Sequence, residues 1–426
     1  MAEQEAAKQI AHPSLDERRA RGRQARDRTP PSSHSGWRPA ADRPDAVALL
    51  AEQDRTREPD LVPVRHGRMM VSPFTFYRGG AKIMATDLNG TPVAGLDAQL
   101  CGDAHLSNFG AFASPERRLL FDLNDFDETL PGPFEYDVKR MAASFVIAGR
   151  NNGFSKKDAR AAALASVTAY REAMAGFAQM PTMDVWYAYA EESQLVKAIQ
   201  GAVAEVAEEE KEAKEAKEKK KEQKDKSQEK LAKEAARQAE KNLAKAHTRD
   251  SLQALSKLCE LVDGQYRIVS QPPVVVPARD LHATFGLSAD QVMPVIHDQF
   301  RRYRATLQDD RRHLLERFQI VDMARKVVGV GSVGTRAFIV LLQGRDEHDP
   351  LFLQVKEATA SVLEAYLPKS RYSQHGERVV QGQRMMQAAS DIFLGWTRGR
   401  DVNRHFYWRQ LHDMKGSVVV EAMAPI

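Results

Sequence analysis

One run of glycines limits what the C-terminal part of this chain can become. Val327-Val328-Gly329-Val330-Gly331-Ser332-Val333-Gly334-Thr335-Arg336 carries a G-x-G-x-x-G spacing. In a dinucleotide-binding fold such a run opens a helix, and an acidic residue follows about 20 positions later. Here it leads into Ala337-Phe338-Ile339-Val340-Leu341-Leu342, which is β-branched and apolar. The pattern predicts a strand, a glycine turn and a second strand. Such a hairpin lays backbone N–H groups on nucleotide phosphates, because Gly329, Gly331 and Gly334 carry no side chain to hold the ligand away.

The text around the glycines keeps its β character. Residues 324–330, 335–343, 351–356, 392–396 and 406–411 read as strands, and 376–389 as a helix between the third and fourth. That order predicts one compact sheet with a single packed helix. Leu353-Gln354-Val355-Lys356-Glu357-Ala358 places Lys356 at a strand end, twenty-two residues after Gly334. A strand lysine ordinarily runs its stem along the surface. In this register it is placed to pair with the α- and β-phosphates, oriented by a glutamate of the following helix. Glu364 and Glu377 both qualify. The stretch 406–415 reads as the strand leading to a hinge, with backbone near 410–413 facing an adenine ring.

A second constellation lies far upstream. In Gly102-Asp103-Ala104-His105-Leu106-Ser107-Asn108 a carboxylate and a carboxamide stand five apart. Phosphoryl transfer needs a carboxylate to hold the attacking group and an oxygen donor to hold magnesium nearby. The plain alternative is a turn whose side chains cap their own backbone. His105 is a candidate substrate contact or a structural histidine. Seventeen residues after Asn108 comes Asp125, within Phe121-Asp122-Leu123-Asn124-Asp125-Phe126-Asp127-Glu128. Five acidic or amide groups in eight positions repel one another unless a cation or solvent relieves them. Asp125 is the first choice of metal ligand, Asp127 the second, and Asp122 is expected to face away. Asp137 opens the next helix, either as a simple N-cap or by holding the amides of the 102–108 loop. Arg78 is placed for an anion or as a brace for a carboxylate.

Length and composition bound the rest. A chain of 426 residues, 42% apolar and 28% charged, has room for two or three domains with a sizeable core. Residues 1–45 read as a disordered arm. Residues 46–320 read as a mainly helical catalytic lobe, with its loops at 99–140, and 321–426 as the β-rich nucleotide lobe. Within the helical lobe, 204–247 is almost entirely Glu, Lys, Ala and Gln, the signature of a solvated helical insertion. Residues 280–318 again show helical spacing, with Phe300, Tyr303, Leu307, Leu314 and Phe318 as core contacts. Cys101 and Cys259 are the only cysteines, too few for a disulfide framework, which makes a reducing cytoplasm the default location. No window predicts a membrane span. A net charge of +4 gives no argument for nucleic acid.

Residues 72–80, 101–110, 121–140, 324–336 and 409–417 resemble a large bacterial family known as a domain of unknown function. The likeness runs from about Arg43 onward and omits the charged insertion. Members of that family continue past this point with helices, so the end at Ile426 carries the expectation of a shortened product. A more remote resemblance is to aminoglycoside-phosphotransferase-like kinases, whose catalytic loop reads like GDxHxxN. That resemblance implies Asp103 as catalytic base, Asn108 and Asp125 as magnesium ligands, Asp137 as loop support and Lys356 as the phosphate-pairing lysine. The glycine loop follows the catalytic loop instead of preceding it. The implied fold is therefore α+β, a protein-kinase-like two-lobe architecture in circularly permuted order.

The reading that follows is an ATP- and Mg2+-dependent phosphotransferase with an unidentified small-molecule or protein acceptor. Nucleotidyl transfer onto a protein is open on the same fold. From another class, a non-catalytic nucleotide sensor or scaffold would use the charged insertion as its arm. A metal-dependent hydrolase leaves the glycine hairpin and Lys356 without a role.

Overall fold

In this computed structural model the described residues are 12–194, 250–281, 288–401 and 403–411, with isolated residues among 196–246 and 414–420. Most of the charged insertion and the hinge residues 412 and 413 lie outside them. Among the described residues the chain is a mixed α+β structure built on antiparallel sheets. No helix among them is long and apolar enough to cross a membrane.

The N-terminal region corrects one expectation. Within 1–45, Leu15–Arg28 is a helix, not a disordered arm. Ser14 and Glu17 form a capping box, each side chain accepting from the other's backbone N–H. This is the helix-start signature that the Arg-rich composition masks. Ala25 buries against the body, and the Thr29 hydroxyl donates to the Val93 carbonyl at 3.0 Å. Helices Ala46–Asp54, Val62–Met69, Pro73–Gly79 and Ala81–Leu88 follow.

Four strands carry the upstream motifs: β1 (Asp97–Leu100), β2 (Phe109–Ala113), β3 (Leu119–Leu123) and β4 (Leu130–Pro133). β1 pairs with β4 and β2 with β3, both antiparallel. The 102–108 segment therefore links β1 to β2, and the acidic segment 124–129 links β3 to β4. Helix Glu135–Asn151 leaves β4 directly and packs on helix Lys156–Phe177. Downstream, β5 (Ala190–Glu191) joins β3, and β6 (Cys259–Val262) and β7 (Gln265–Ile268) form a hairpin.

The expected sheet of the C-terminal part is present, with one strand more. It contains β8 (Val275–Pro277), β9 (Gln319–Lys326), β10 (Ala337–Gln343), β11 (Pro350–Ala358), β12 (Gly395–Arg398) and β13 (His405–Gln410). Their order across the sheet is β12-β13-β11-β10-β9-β8. The glycines connect β9 to β10, and helix His375–Met386 lies between β11 and β12 in sequence.

Side-chain period two sorts this sheet into two faces. Val340, Leu342, Leu351, Leu353, Val355, Phe406 and Trp408 pack against Phe300, Tyr303, Leu307 and Leu315. Ile339, Leu341 and Phe352 pack on the opposite side with Leu255 and Ile268. Two expectations change here. The stretch 280–318 holds helices Ala289–Arg304 and Asp309–Leu315, and Leu315 is the core residue while Leu314 is exposed. A division at 320/321 would cut through β9 and separate β8 from its sheet. β8 is an edge strand of the sheet, and residues within 254–268 and 300–315 pack on its two faces, because a sheet apolar on both sides must be covered on both.

Tyr303 is the central contact of the first face. It is fully buried and stacks on Trp408 at 4.5 Å between ring centroids. Its hydroxyl donates to the Phe393 carbonyl. Tyr303→Ala is expected to cost about 3–5 kcal/mol, read as a lowered midpoint in urea unfolding.

Candidate functional site

The site begins with a glycine. Gly102 has φ +81°, and a Cβ there would lie 2.2 Å from the Glu128 carbonyl oxygen. Only glycine lets the 102–108 loop press this closely on the acidic loop. Asp137, in the first turn of helix Glu135–Asn151, accepts from the N–H groups of Cys101 (2.8 Å) and Gly102 (3.1 Å). It therefore braces the loop and does not act as a simple helix cap. Burial pushes its carboxyl up to about 6, against the pull of those two bonds.

Asp103 is held from below. Arg140 Nε donates to its Oδ1 at 2.7 Å. The same guanidinium donates to the Tyr77 carbonyl at 2.8 Å and lies 3.8 Å from the Tyr77 ring centroid. Asn108 Nδ2 donates to the Asp103 carbonyl at 2.7 Å, which leaves its side-chain oxygen as the donor it can offer a cation. His105 is buried, with Nε2 3.7 Å from Asp103 Oδ2. Burial drives its pKa down to about 4, with Asp103 opposing and Arg140 assisting, so it is a neutral imidazole at pH 7.

The acidic loop is tied to this one backbone to backbone. The Asn124 N–H donates to the Asn108 carbonyl at 2.8 Å. The Asp122 carboxylate accepts from the Leu123 N–H. Lys356 reaches the loop from β11, its Nζ 2.6 Å from Asp127 Oδ2 and 3.5 Å from Asp125 Oδ1. Burial alone would lower the Lys356 pKa. Asp125 and Asp127 outweigh it and hold the ammonium well above its ordinary range.

Strand register explains why Lys356 points this way. Leu353 and Val355 face the apolar core, so Gln354 and Lys356 face the other side. Across the ladder Lys356 stands opposite Tyr407, and Gln354 opposite Arg409. The Tyr407 hydroxyl donates to Asp127 Oδ1 at 2.6 Å, and Arg409 donates to the Asn124 carbonyl at 3.0 Å.

The glycine loop is close by but is held by the chain itself. Gly329 and Gly334 have φ of +68° and +90°. Arg68 donates to the Gly329 carbonyl at 2.7 Å, the Glu58 N–H to the Gly334 carbonyl at 2.8 Å, and Arg57 to the Val333 carbonyl. A Cβ on Gly331 would lie 3.0 Å from the Arg78 carbonyl, and one on Gly334 would lie 3.0 Å from Arg57 Cβ. On these sides the close approach that the glycines permit is to residues 57–79.

A cavity of about 780 Å3 opens between these parts. Asp103, Asn108, Asp125 and Asp127 line it with Gly331 and Ser332. Glu364 also lines it, but it is not within ion-pair distance of Lys356, and neither is Glu377; among the described residues those carboxylates are Asp125 and Asp127. Lys356 is buried behind Asp127. Four contributors escaped the sequence reading: Arg140, Tyr407, Arg409 and Arg378, whose buried guanidinium donates to the Asp127 carbonyl at 2.7 Å. Arg140 had a usable signal, standing three residues after Asp137 on one helix face. Arg378 had none.

Among the described residues no three His, Cys, Asp or Glu side chains form a cluster able to hold a metal alone. Asp125 and Asn108 line the same cavity, and a carboxylate with a carboxamide oxygen is the kind of donor pair that a hard, oxygen-seeking cation accepts alongside water.

The family model described as an uncharacterized protein conserved in bacteria (DUF2252) matches residues 57–237 and 207–425. The chain belongs to that family. The matched residues include every part of the site, from Arg57 to Arg409. Comparison with curated proteins and with solved structures returned no match.

The buried neutral His105 makes stability depend on pH. Its folded pKa is about 4 against an unfolded value near 6.5, so the native state binds fewer protons between these values. This contribution is present in full above pH 6.5 and is lost as pH drops toward 4, by on the order of 3 kcal/mol. Asp137 and Glu128, whose carboxyls burial raises to about 6 and about 7, act in the opposite direction, so the His105 contribution is read as a difference: from pH 7 to pH 4.5 the stability of the native chain relative to His105→Gln should fall by on the order of 3 kcal/mol in urea unfolding.

Proposed function

We propose that this chain is an ATP- and Mg2+-dependent phosphotransferase, built as a protein-kinase-like pair of lobes in permuted order. The observation that carries the reading is convergence. Asp103, Asn108 and Asp125 line one cavity with Gly331 of the glycine loop, and Lys356 meets Asp125 and Asp127 at its wall. Lys356 and Asp127 are separated by 229 positions in the chain. Phosphoryl transfer calls for a carboxylate, oxygen donors for a metal and a cation near one another, which is what supports the reading. The sheet adds support, since its glycine hairpin, lysine strand, helix and two further strands follow the order of a kinase small lobe.

In this reading each residue has a defined task. Asp103 orients the acceptor hydroxyl and takes its proton, and the buried Arg140 keeps its carboxylate in one orientation. Lys356, a permanently charged ammonium buried behind Asp127, brings positive charge to the wall that faces the phosphates. Asn108 and Asp125 hold magnesium, which spreads the charge of the transferred group. Asp137 keeps the loop amides in place through its two hydrogen bonds, so little reorganisation is left for the reaction. His105, neutral and buried, supports the loop.

Calorimetric titration of the full chain with ATP, with and without magnesium, tests this directly. Magnesium-dependent binding is expected, weakened about tenfold or more by Lys356→Ala, which removes a cation from the phosphate end of the cavity, and by Asp125→Asn, which removes a charged ligand of the metal. Absence of binding to the full chain would overturn the proposal.

A further inference from the structure

We infer that Asp127 is the carboxylate that positions Lys356 for the phosphates, in place of a glutamate on the packed helix, while Asp125 serves the metal. This rests on the phosphotransferase reading above.

The two aspartates stand two residues apart but have different surroundings. Both oxygens of Asp127 are engaged on the protein side. Oδ2 meets Lys356 Nζ at 2.6 Å and the Ser332 hydroxyl at 3.4 Å, and Oδ1 accepts from the Tyr407 hydroxyl at 2.6 Å. Asp125 is engaged through Oδ1, 3.5 Å from the same ammonium and accepting from the Asp127 N–H at 3.3 Å, and it lines the cavity beside Asn108. A carboxylate gripped by a buried ammonium and a phenol is a poor ligand for magnesium, which demands near-ideal geometry. It is a good anchor for a lysine that must point one way.

The packed helix brings an arginine to this loop and no acidic partner to Lys356. Helix His375–Met386 presents Arg378, which is buried and donates to the carbonyls of Thr129 (2.6 Å), Asp127 (2.7 Å) and Thr359 (2.9 Å). The helix thus reaches Lys356 indirectly, by clamping the backbone of the loop that holds it. Glu364 and Glu377 are not paired with the lysine. One short loop then sets both cationic contacts to the phosphates.

The test compares variants of the full chain by calorimetry with ATP, in the presence and absence of magnesium. Asp125→Asn should erase most of the gain in affinity that magnesium confers. Asp127→Asn should lower affinity about tenfold in both conditions while keeping that gain, as Lys356→Ala does. Combining Asp127→Asn with Lys356→Ala should add no more than about twofold, since the two act through one contact. Tyr407→Phe, which keeps the ring packing, should reproduce the Asp127→Asn pattern more weakly and serves as the check if Asp127→Asn does not fold. Loss of the magnesium gain in Asp127→Asn or Tyr407→Phe would overturn the inference, as would additive losses with Lys356→Ala. Failure of the unsubstituted chain to bind ATP would overturn the phosphotransferase reading, and this inference with it.

Discussion

A buried lysine cannot stand alone, and the meeting of Lys356 with Asp127 at 2.6 Å is the contact around which this site is arranged. β11 is buried along nearly its whole length, so its last lysine enters the interior whether or not a partner is waiting. The acidic loop supplies that partner, and its own crowd of carboxylates is relieved by the same contact. Removing either member of such a pair typically costs about 3–5 kcal/mol, because the other is left buried and uncompensated. Tyr407, Arg378 and Arg409 close around the pair from neighbouring elements, so sheet and acidic loop form one unit.

The N-terminal helices play a similar part for the glycine loop. Three of its carbonyls are occupied by groups from Arg57, Glu58 and Arg68. A ring of ion pairs extends this contact: Arg336 with Glu58 at 2.8 Å, Arg325 with Asp60 at 2.7 Å and Arg404 with Glu357 at 2.6 Å. A glycine turn left to itself would sample many conformations. Here its shape is set by a segment that lies far upstream in sequence, and that segment also forms part of the cavity wall.

How far the sequence could be read depended on the range of the interactions. The strand–turn–strand at the glycines was legible because local alternation and glycine content suffice to specify it. The spacing of Asp103, Asn108 and Asp125 was legible because a loop between paired strands keeps its residues together. Leu314 and Leu315 were confused because helical periodicity leaves a one-residue ambiguity when the helix is short. The helix at Leu15–Arg28 was hidden by a composition typical of unfolded arms, although its Ser14 and Glu17 box was in plain view. The edge strand β8 is three residues long and has no pattern of its own.

The sequence by itself determined the parts: the hairpin, the lysine strand, the two polar loops and the helix that follows Asp137. Each follows from contacts between residues close in the chain. Tertiary structure alone decided the partners. Nothing local in Leu353–Ala358 says that Lys356 meets Asp127 and not Glu364. Nothing local in helix His375–Met386 says that Arg378 reaches three carbonyls of distant segments. Those choices depend on the register of β11 against β13 and on the closing of the sheet over the acidic loop, where burial makes an unpaired charge too costly to leave in place.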